Sequence, residues 1–352
     1  MSSPLSAVQP PHASLARASA NPCGNGRAAE NRMVAFPYTK RLCAIMDVDQ
    51  SAAVILMSLR TANRLGVAEN KRVFVHGTAD VHEFPIRTCE RGALERSIAI
   101  GHLGRDVFSS ANVAVSRIRF FEVYSCFPSA VQIACKELGI PSQISGYDLT
   151  CLGGLPFHGG PGNNYALHGI VAMIGVLRRH PSEFGLVTAN GGHVPLRNEL
   201  GVALRRCNRN RSARVRRYLT EHSAAVYSAV PYETTHAHAL RWKRLPMADA
   251  QRRVAEEGEA ARVQLAEQPD GTGVIELYTL EHVSERQRAI LLGRVLSGAH
   301  SGQRFLAIST DAKLIAHLSM HEGAGITGAL RTTHDGRTYF DALALPPQQS
   351  AL

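Results

Sequence analysis

The chain has 352 residues, enough for one large or two ordinary domains, and its 45% hydrophobic and 19% charged residues are the composition of a folded globular protein. This excludes a wholly disordered chain, a collagen-like repeat and a disulfide-stapled miniprotein. The net charge of +10 is uneven, because Leu196 to Arg217 holds eight arginines and one acid, Glu199, which is +7 of the total. Such a run reads first as a solvated surface insertion (194–217). No aromatic side chains interleave with it for base stacking, so nucleic acid is not the expected partner. Seven cysteines, without a Cys-x-x-Cys pair, suggest neither a disulfide framework nor a zinc site, and no bound cofactor or metal is expected. A reducing cytoplasm fits this usage. The longest uncharged apolar stretch, Tyr165 to Leu177, is shorter than the ~20 residues of a membrane span.

In chain order, residues 1–30 read as a low-complexity leader. Asp49 to Leu65 carries an alanine-rich apolar face and stops at Gly66, which predicts a helix with a glycine cap. Arg72 to His76 is a short strand. Arg119 to Tyr124 predicts a strand, Pro128 to Leu138 a helix closed by Gly139, and Tyr147 to Leu152 another strand. The glycine-rich GGLPFHGGPGNN leads into a helix over Tyr165 to Arg179, capped by Asn163 or Asn164, and Phe184 to Ala189 is a buried strand. Alternating strands and helices predict a layered α/β domain over 31–232. Ala248 to Glu267 reads as a solvated connecting helix within 233–270. Closely spaced strands at VIELYTL, AILLGRVL and RFLAIST, a short helix near Asp311 to Met320 and a last strand near Arg337 to Phe340 predict a small OB-like β domain over 271–345.

Three segments together resemble the C-terminal half of the thiolase superfamily. DVDQSAAVILM (Asp47 to Met57) is similar to the Ser-Asp-Gly-Ala-Ala segment at the crossing between the family's halves. YSCFP (Tyr124 to Pro128) occupies the place of the His-Asp-Cys-Phe or Asn-Glu-Ala-Phe loop. GGLPFHGGPG (Gly153 to Gly162) resembles the Gly-Gly...Gly-His-Pro loop. The wording is closest to an acetyl-CoA acetyltransferase-like branch, related to sterol-carrier-protein-type thiolases, whose members carry an added C-terminal β domain. The resemblance implies a thiolase-like α/β half-domain followed by that β domain, and acyl-coenzyme A as substrate. In the family a cysteine at a helix N-terminus attacks the thioester, a second cysteine or a histidine moves the proton, and polar donors hold the oxyanion.

The sequence departs from that pattern. The resemblance begins near Asn31, so the expectation is a truncated chain without the half that supplies the nucleophile. The histidine of Gly-His-Pro is Gly160 here, the polar leader of Asn-Glu-Ala-Phe is Tyr124, and the second cysteine falls at Thr188 or Ala189. Three residues are candidate stand-ins. His158 lies two residues before the lost histidine and reads otherwise as a surface-loop residue. His222, in LTEHSAAVYS, matches a Thr-Lys-His stretch of the branch and is a base or oxyanion donor candidate. Cys126 precedes a helix, where a thiolate is favoured, and reads otherwise as a small buried cysteine. His168 reads as a core histidine. Gly153, Gly154, Gly159, Gly160, Pro161 and Asn163 are the substrate-loop candidates, with loop shaping as their other reading. Two functions compete: a thiolase-like acyltransferase, or a non-catalytic half-thiolase that pairs with a separate N-terminal half or with itself.

Overall fold

The computed structural model describes residues 31–84, 87–141, 149–191, 220–231, 247–283 and 286–346. The expected leader, the arginine-rich insertion and the start of the strand expected at Tyr147 lie outside them. Chain order begins with a small hairpin, β1 (Met33–Ala35) and β2 (Tyr38–Thr39), followed by an irregular strap over 43–58 and helix α1 (Leu59–Arg64). Of the helix expected over Asp49 to Leu65, only Leu59–Arg64 forms. Adjacent β-branched Val54 and Ile55 weaken a helix there, no neighbouring element covers the apolar face, and Ser58 starts the turn by accepting a hydrogen bond from the Thr61 amide.

The first layered unit is a four-stranded sheet in the order β3 (Phe74–His82), β6 (Glu221–Ser228), β5 (Phe184–Gly191), β4 (Ile118–Glu122). β4 and β5 run parallel, and β6 is antiparallel to both of its neighbours. One face is covered by α2 (Ile98–Ala111), a helix absent from the sequence reading. Ser97 caps it, Asn112 ends it in the left-handed conformation, and Ile100, Leu103 and Val107 are buried. Gly101, His102, Gly104 and Asp106 are buried in it beside the apolar residues, so its buried face is wider than its apolar stripe. α3 (Pro128–Leu138) lies beside it and ends at Gly139 (φ 69°), where a left-handed cap favours glycine.

A short turn, α4 (Leu155–His158), precedes α5 (Tyr165–Arg179). Residues 149–152 do not form the expected strand: the amides of Cys151 and Leu152 donate to a carboxylate instead of a ladder. α5 is apolar around nearly its whole circumference, yet only Tyr165, Gly169, Met173 and Leu177, a single i, i+4 stripe, are buried. α6 (Met247–Ala260) is not a solvated connector. Ala250 and Val254 are buried in the same core as α2, and Arg253 donates two 3.0 Å hydrogen bonds to Asp106.

The second unit is built from β7 (Gly271–Val283), β8 (Arg286–Val295), β9 (Arg304–Ser309), helix α7 (Ala312–Leu318), β10 (Thr327–Thr332) and β11 (Thr338–Ala342). β7, β8 and β9 form an antiparallel meander, β9 pairs in parallel with β11, β11 pairs with β10, and β10 returns to β7. Five strands therefore close a barrel in the order expected of an OB fold, around Ile275, Leu291, Phe305 and Phe340. Gly293 lies where the Phe305 ring crosses the wall: a Cβ there would sit 2.4 Å from that ring and 2.1 Å from the Val274 carbonyl.

The two units dock through Arg304, 3% exposed. Its guanidinium donates to the carbonyls of Cys89 (3.0 Å), Arg91 and Gly92 (3.2 Å), and to Glu276 Oε2 at 2.7 Å. The hairpin adds a second tie, with Phe36 stacked on Tyr278 at 5.5 Å. Among the described residues no helix is long and apolar enough to cross a membrane.

Candidate functional site

β3, β4 and β5 end at one edge of the sheet, and β6 starts there. In open α/β sheets ligands bind beyond the carboxyl ends of the strands. Three segments converge on this edge: 123–127 after β4, the glycine-rich 149–164, and the strap over 44–50. Ala44 donates to the Cys126 carbonyl, Ile45 donates to Leu155, and Gly160 donates to Ile45 at 2.6 Å, so the strap staples the two loops together.

Glu122, 1% exposed at the end of β4, fixes the floor. Its Oε1 accepts from the Tyr165 hydroxyl at 2.7 Å, and its Oε2 accepts from the Cys151 and Leu152 amides and from Thr150 Oγ1 at 2.6, 3.1 and 3.0 Å. Burial pushes this carboxyl above its ordinary value, and the four donors only partly counter it. Glycine is required above this floor. Gly154 (φ 85°) lies where a Cβ would come 2.9 Å from Ser125 Oγ, and Gly159 (φ 104°) where it would come 2.8 Å from Val48.

Between the hairpin and these loops lies a cavity of about 420 Å³, within the ~300–1,000 Å³ range of small-molecule sites. Its apolar lining includes Leu42, Val123, Phe127, Val131, Leu149 and Phe157. Polar groups come from two walls: Thr39 and Arg41 on the hairpin side, Ser125 and Thr150 on the sheet side. Ser125 Oγ also accepts from the Leu155 amide at 3.2 Å.

Of the substrate-loop residues named from sequence, Gly153 and Gly154 line this cavity. Gly159 and Gly160 are buried under the strap, while Asn163 is exposed in the turn before α5. Asn164 occupies the cap position of that helix without a capping bond; its Nδ2 instead donates to the Gln50 carbonyl and to His168 Nε2, each at 3.3 Å. His168 in turn meets His158, Nδ1 to Nε2, at 3.3 Å. Burial lowers the pKa of both rings, and for His158 the neighbouring His168 adds to it. His158 is therefore one end of a neutral polar chain, and His168 its middle rather than a core residue.

His222, 2% exposed on β6, pairs through Nδ1 with Asn190 Oδ1 at 3.0 Å. Cys126 is half-buried against the α2–α3 core and accepts from Ala44 through its carbonyl. Since β6 lies two strands from β4, roughly 10 Å at sheet spacing, these candidates belong to one edge but not to one hydrogen-bonded unit. Sequence reasoning missed Glu122, Thr150, Tyr165, Thr39 and Arg41. Only Glu122 left a signal, as a lone acid in the apolar strand IRFFEVY.

The family model described as thiolase-like protein type 1 additional C-terminal domain matches residues 249–336, which begin in α6 and take in most of the barrel. The solved structure of a monomeric SCP2-thiolase like protein type 1 (STLP1) from Mycobacterium smegmatis matches with a TM-score of 0.68 and 29% identity over 88% of this chain. The chain is thiolase-like, with an added C-terminal domain. It spans 59% of that relative's length. No curated protein matches it in sequence. The thiolase-like architecture places the YSCFP and Gly-Gly loops at the strand ends, and in this chain that is where the cavity lies.

Proposed function

We propose that the chain holds an acyl-coenzyme A thioester in the cavity beneath the YSCFP and Gly153–Gly154 loops, as a thiolase-like acyl-binding unit in the cytoplasm. The observation that carries the reading is the cavity itself, apolar for most of its lining and bounded by backbone that two glycines bring close. Within it Ser125 and Thr150 are the polar groups nearest the loops that the family uses for the thioester. The experiment is a calorimetric titration of the full chain with hexanoyl-CoA. Val131→Trp, whose indole would fill the cavity, is expected to weaken binding at least tenfold while the circular dichroism spectrum stays native. Equal affinity in the two proteins would remove the reading. Added alone to acetoacetyl-CoA and coenzyme A, the chain is expected to give no thiolysis, since neither Cys126 nor the two histidines form a nucleophile–base pair.

A second reading is favoured by the apolar surface along α5. Ile55 and Leu56 of the strap are 87% and 86% exposed, Val54, Met57 and Val171 are exposed too, and the flanks of α5 beside its buried stripe are only partly covered. Apolar side chains this exposed on the strap and on α5 suit an interface better than solvent. Under this reading a separately encoded thiolase N-terminal half, or a second copy, covers it. The purified chain is then expected to bind a hydrophobic dye, and Ile55→Asp/Leu56→Asp to cut that signal by about half. A dye-negative wild-type chain that stays monomeric at high concentration would count decisively against it.

A further inference from the structure

The strap that carries Ile55 and Leu56 is fastened at its ends and unpaired between them. At one end Gln50 donates from Nε2 to the His158 carbonyl at 2.8 Å, and its own carbonyl accepts from Asn164. At the other end Ser58 caps α1. Among the described residues, no backbone N–H or C=O group of 51–57 takes part in a hydrogen bond, and the segment belongs to no helix, strand or turn. Its sequence, Ser-Ala-Ala-Val-Ile-Leu-Met, contains no charge, proline or glycine. Ile55 and Leu56 are neighbours in sequence, and both are almost wholly exposed.

A helix that docks in a groove presents one apolar stripe and a polar back, and this run has no polar back. A short continuous apolar run with adjacent β-branched residues is instead the pattern of a strand buried on both faces. Successive side chains of a strand point to opposite faces, so Ile55 and Leu56 would each need cover from a different side. The backbone between them, once dried, would need a ladder along at least one edge. We propose that 51–57 is a donor strand, which adds to the open edge of a sheet in a partner whose helices cover both faces of that sheet. A layered α/β partner meets these demands together, whereas an apolar patch alone would leave dried N–H and C=O groups unmatched. A second copy of this chain offers a poorer edge. Beyond β4 the Val123 amide already donates to the Leu149 carbonyl at 2.9 Å, and at the end of β3 the Gln251 side chain holds both backbone groups of His82. The inference rests on the pairing reading above, selects its thiolase N-terminal half as the partner, and adds the means by which the two are held.

The test co-expresses the full chain with the portion of the STLP1 chain that lies outside the match, and measures complex formation and amide hydrogen exchange. Exchange over 51–57 is expected to be fast in the free chain and about a hundredfold slower in the complex. Ile55→Pro and Leu56→Pro then separate a ladder from an apolar contact. Successive N–H groups of a strand point to opposite edges, and proline is tolerated only where the N–H faces away from the sheet. A strand added at an edge should therefore feel one of the two prolines, with binding weakened roughly tenfold or more, while the other stays within about threefold. Both should weaken it if the strand lies between two others. Ile55→Val, which keeps the N–H and an apolar side chain, should bind within about threefold of wild type. Since 51–57 holds no other part of the chain, both proline variants should keep the wild-type melting temperature, and unfolding of both would overturn the inference. Wild-type affinity in both proline variants, or fast exchange within the complex, overturns strand donation and leaves the pairing reading standing. A homodimer in which 51–57 is protected overturns the choice of partner. Absence of any complex, with the chain monomeric, overturns the pairing reading as well.

Discussion

Arg304→Ala is expected to be among the most damaging single changes in the chain, with a loss of about 3–5 kcal/mol, the range for removing one partner of a buried ionic network. The side chain is nearly inaccessible and is divided between two units. Its Nε holds Glu276 within the barrel, and its two terminal nitrogens hold three carbonyls of the 89–92 turn in the layered domain. Alanine would leave those carbonyls facing a dry void. Glu276 would keep Arg294, at 2.9 Å, so the barrel itself should survive. The failure should therefore appear at the junction. Urea denaturation should show an earlier first transition, and limited proteolysis should cut within 261–270, where the chain passes between the units. Arg304→Lys should recover only part of the loss, because one ammonium cannot span the carbonyls that the fork reaches. A variant within about 1 kcal/mol of wild type and resistant to cleavage would show that the docking depends instead on the hairpin and on the ion pair that Arg262 makes with the buried Glu90, Nη2 to Oε1 at 2.6 Å.

The parts of this structure that were legible in the sequence are those where local chemistry and global packing agree. Pro128 to Leu138 has proline at its start, a glycine cap and an apolar stripe, and it forms that helix. Tyr165 to Arg179 was legible from its length and its glycine-rich approach. The closed barrel followed from closely spaced strands with a helix between the third and the fourth, although β10 itself, short and opened by Thr-Gly, gave no pattern. What failed did so for physical reasons. Ala52 to Met57 is apolar enough for a helix, but an apolar face stabilises a helix only when something covers it. Cys151 and Leu152 looked like strand residues, but their amides serve a side-chain carboxylate. α2 was missed although its apolar period matches that of α3, because Gly101, His102, Gly104 and Asp106 are residue types not expected inside a buried helix. The cavity was half legible: its glycines belong to a recognisable loop, whereas Thr39 and Arg41 reach it through the tertiary fold of the hairpin.

Glu122 should couple the stability of the chain to pH and to its ligand. Glu122→Ala would take the acceptor from the Tyr165 hydroxyl, the Thr150 hydroxyl and the Cys151 amide, while the Leu152 amide keeps Thr150 Oγ1 at 3.1 Å. At roughly 1–3 kcal/mol for each buried donor left without an acceptor, and with water entering to satisfy some of them, a loss of about 3 kcal/mol or more is expected. Glu122→Gln should cost less, about 1–3 kcal/mol, because its single carbonyl oxygen can serve one side of the donor set while its NH₂ opposes the other. The sign of the pH effect follows from burial. The folded carboxyl titrates above its unfolded value near 4.5, so in the window just above that value the native state binds more protons than the unfolded state. Stability from this group is then complete below the unfolded pKa, declines as pH rises through the window, and levels off above the folded pKa. Glutamine cannot titrate, so the difference between wild type and E122Q in urea midpoint should be larger at pH 4 than at pH 8. An equal difference at both would mean that the donors just balance desolvation and leave the folded and unfolded pKa values alike, and a smaller difference at pH 4 would mean that the donors outweigh it. Since Thr150 and the Gly153–Gly154 loop form one wall of the cavity, E122A should also weaken hexanoyl-CoA binding. In E122Q, where the loop keeps at least one tether to β4, most of that affinity should remain, which ties the buried carboxylate to the shape of the site rather than to any chemistry on the ligand.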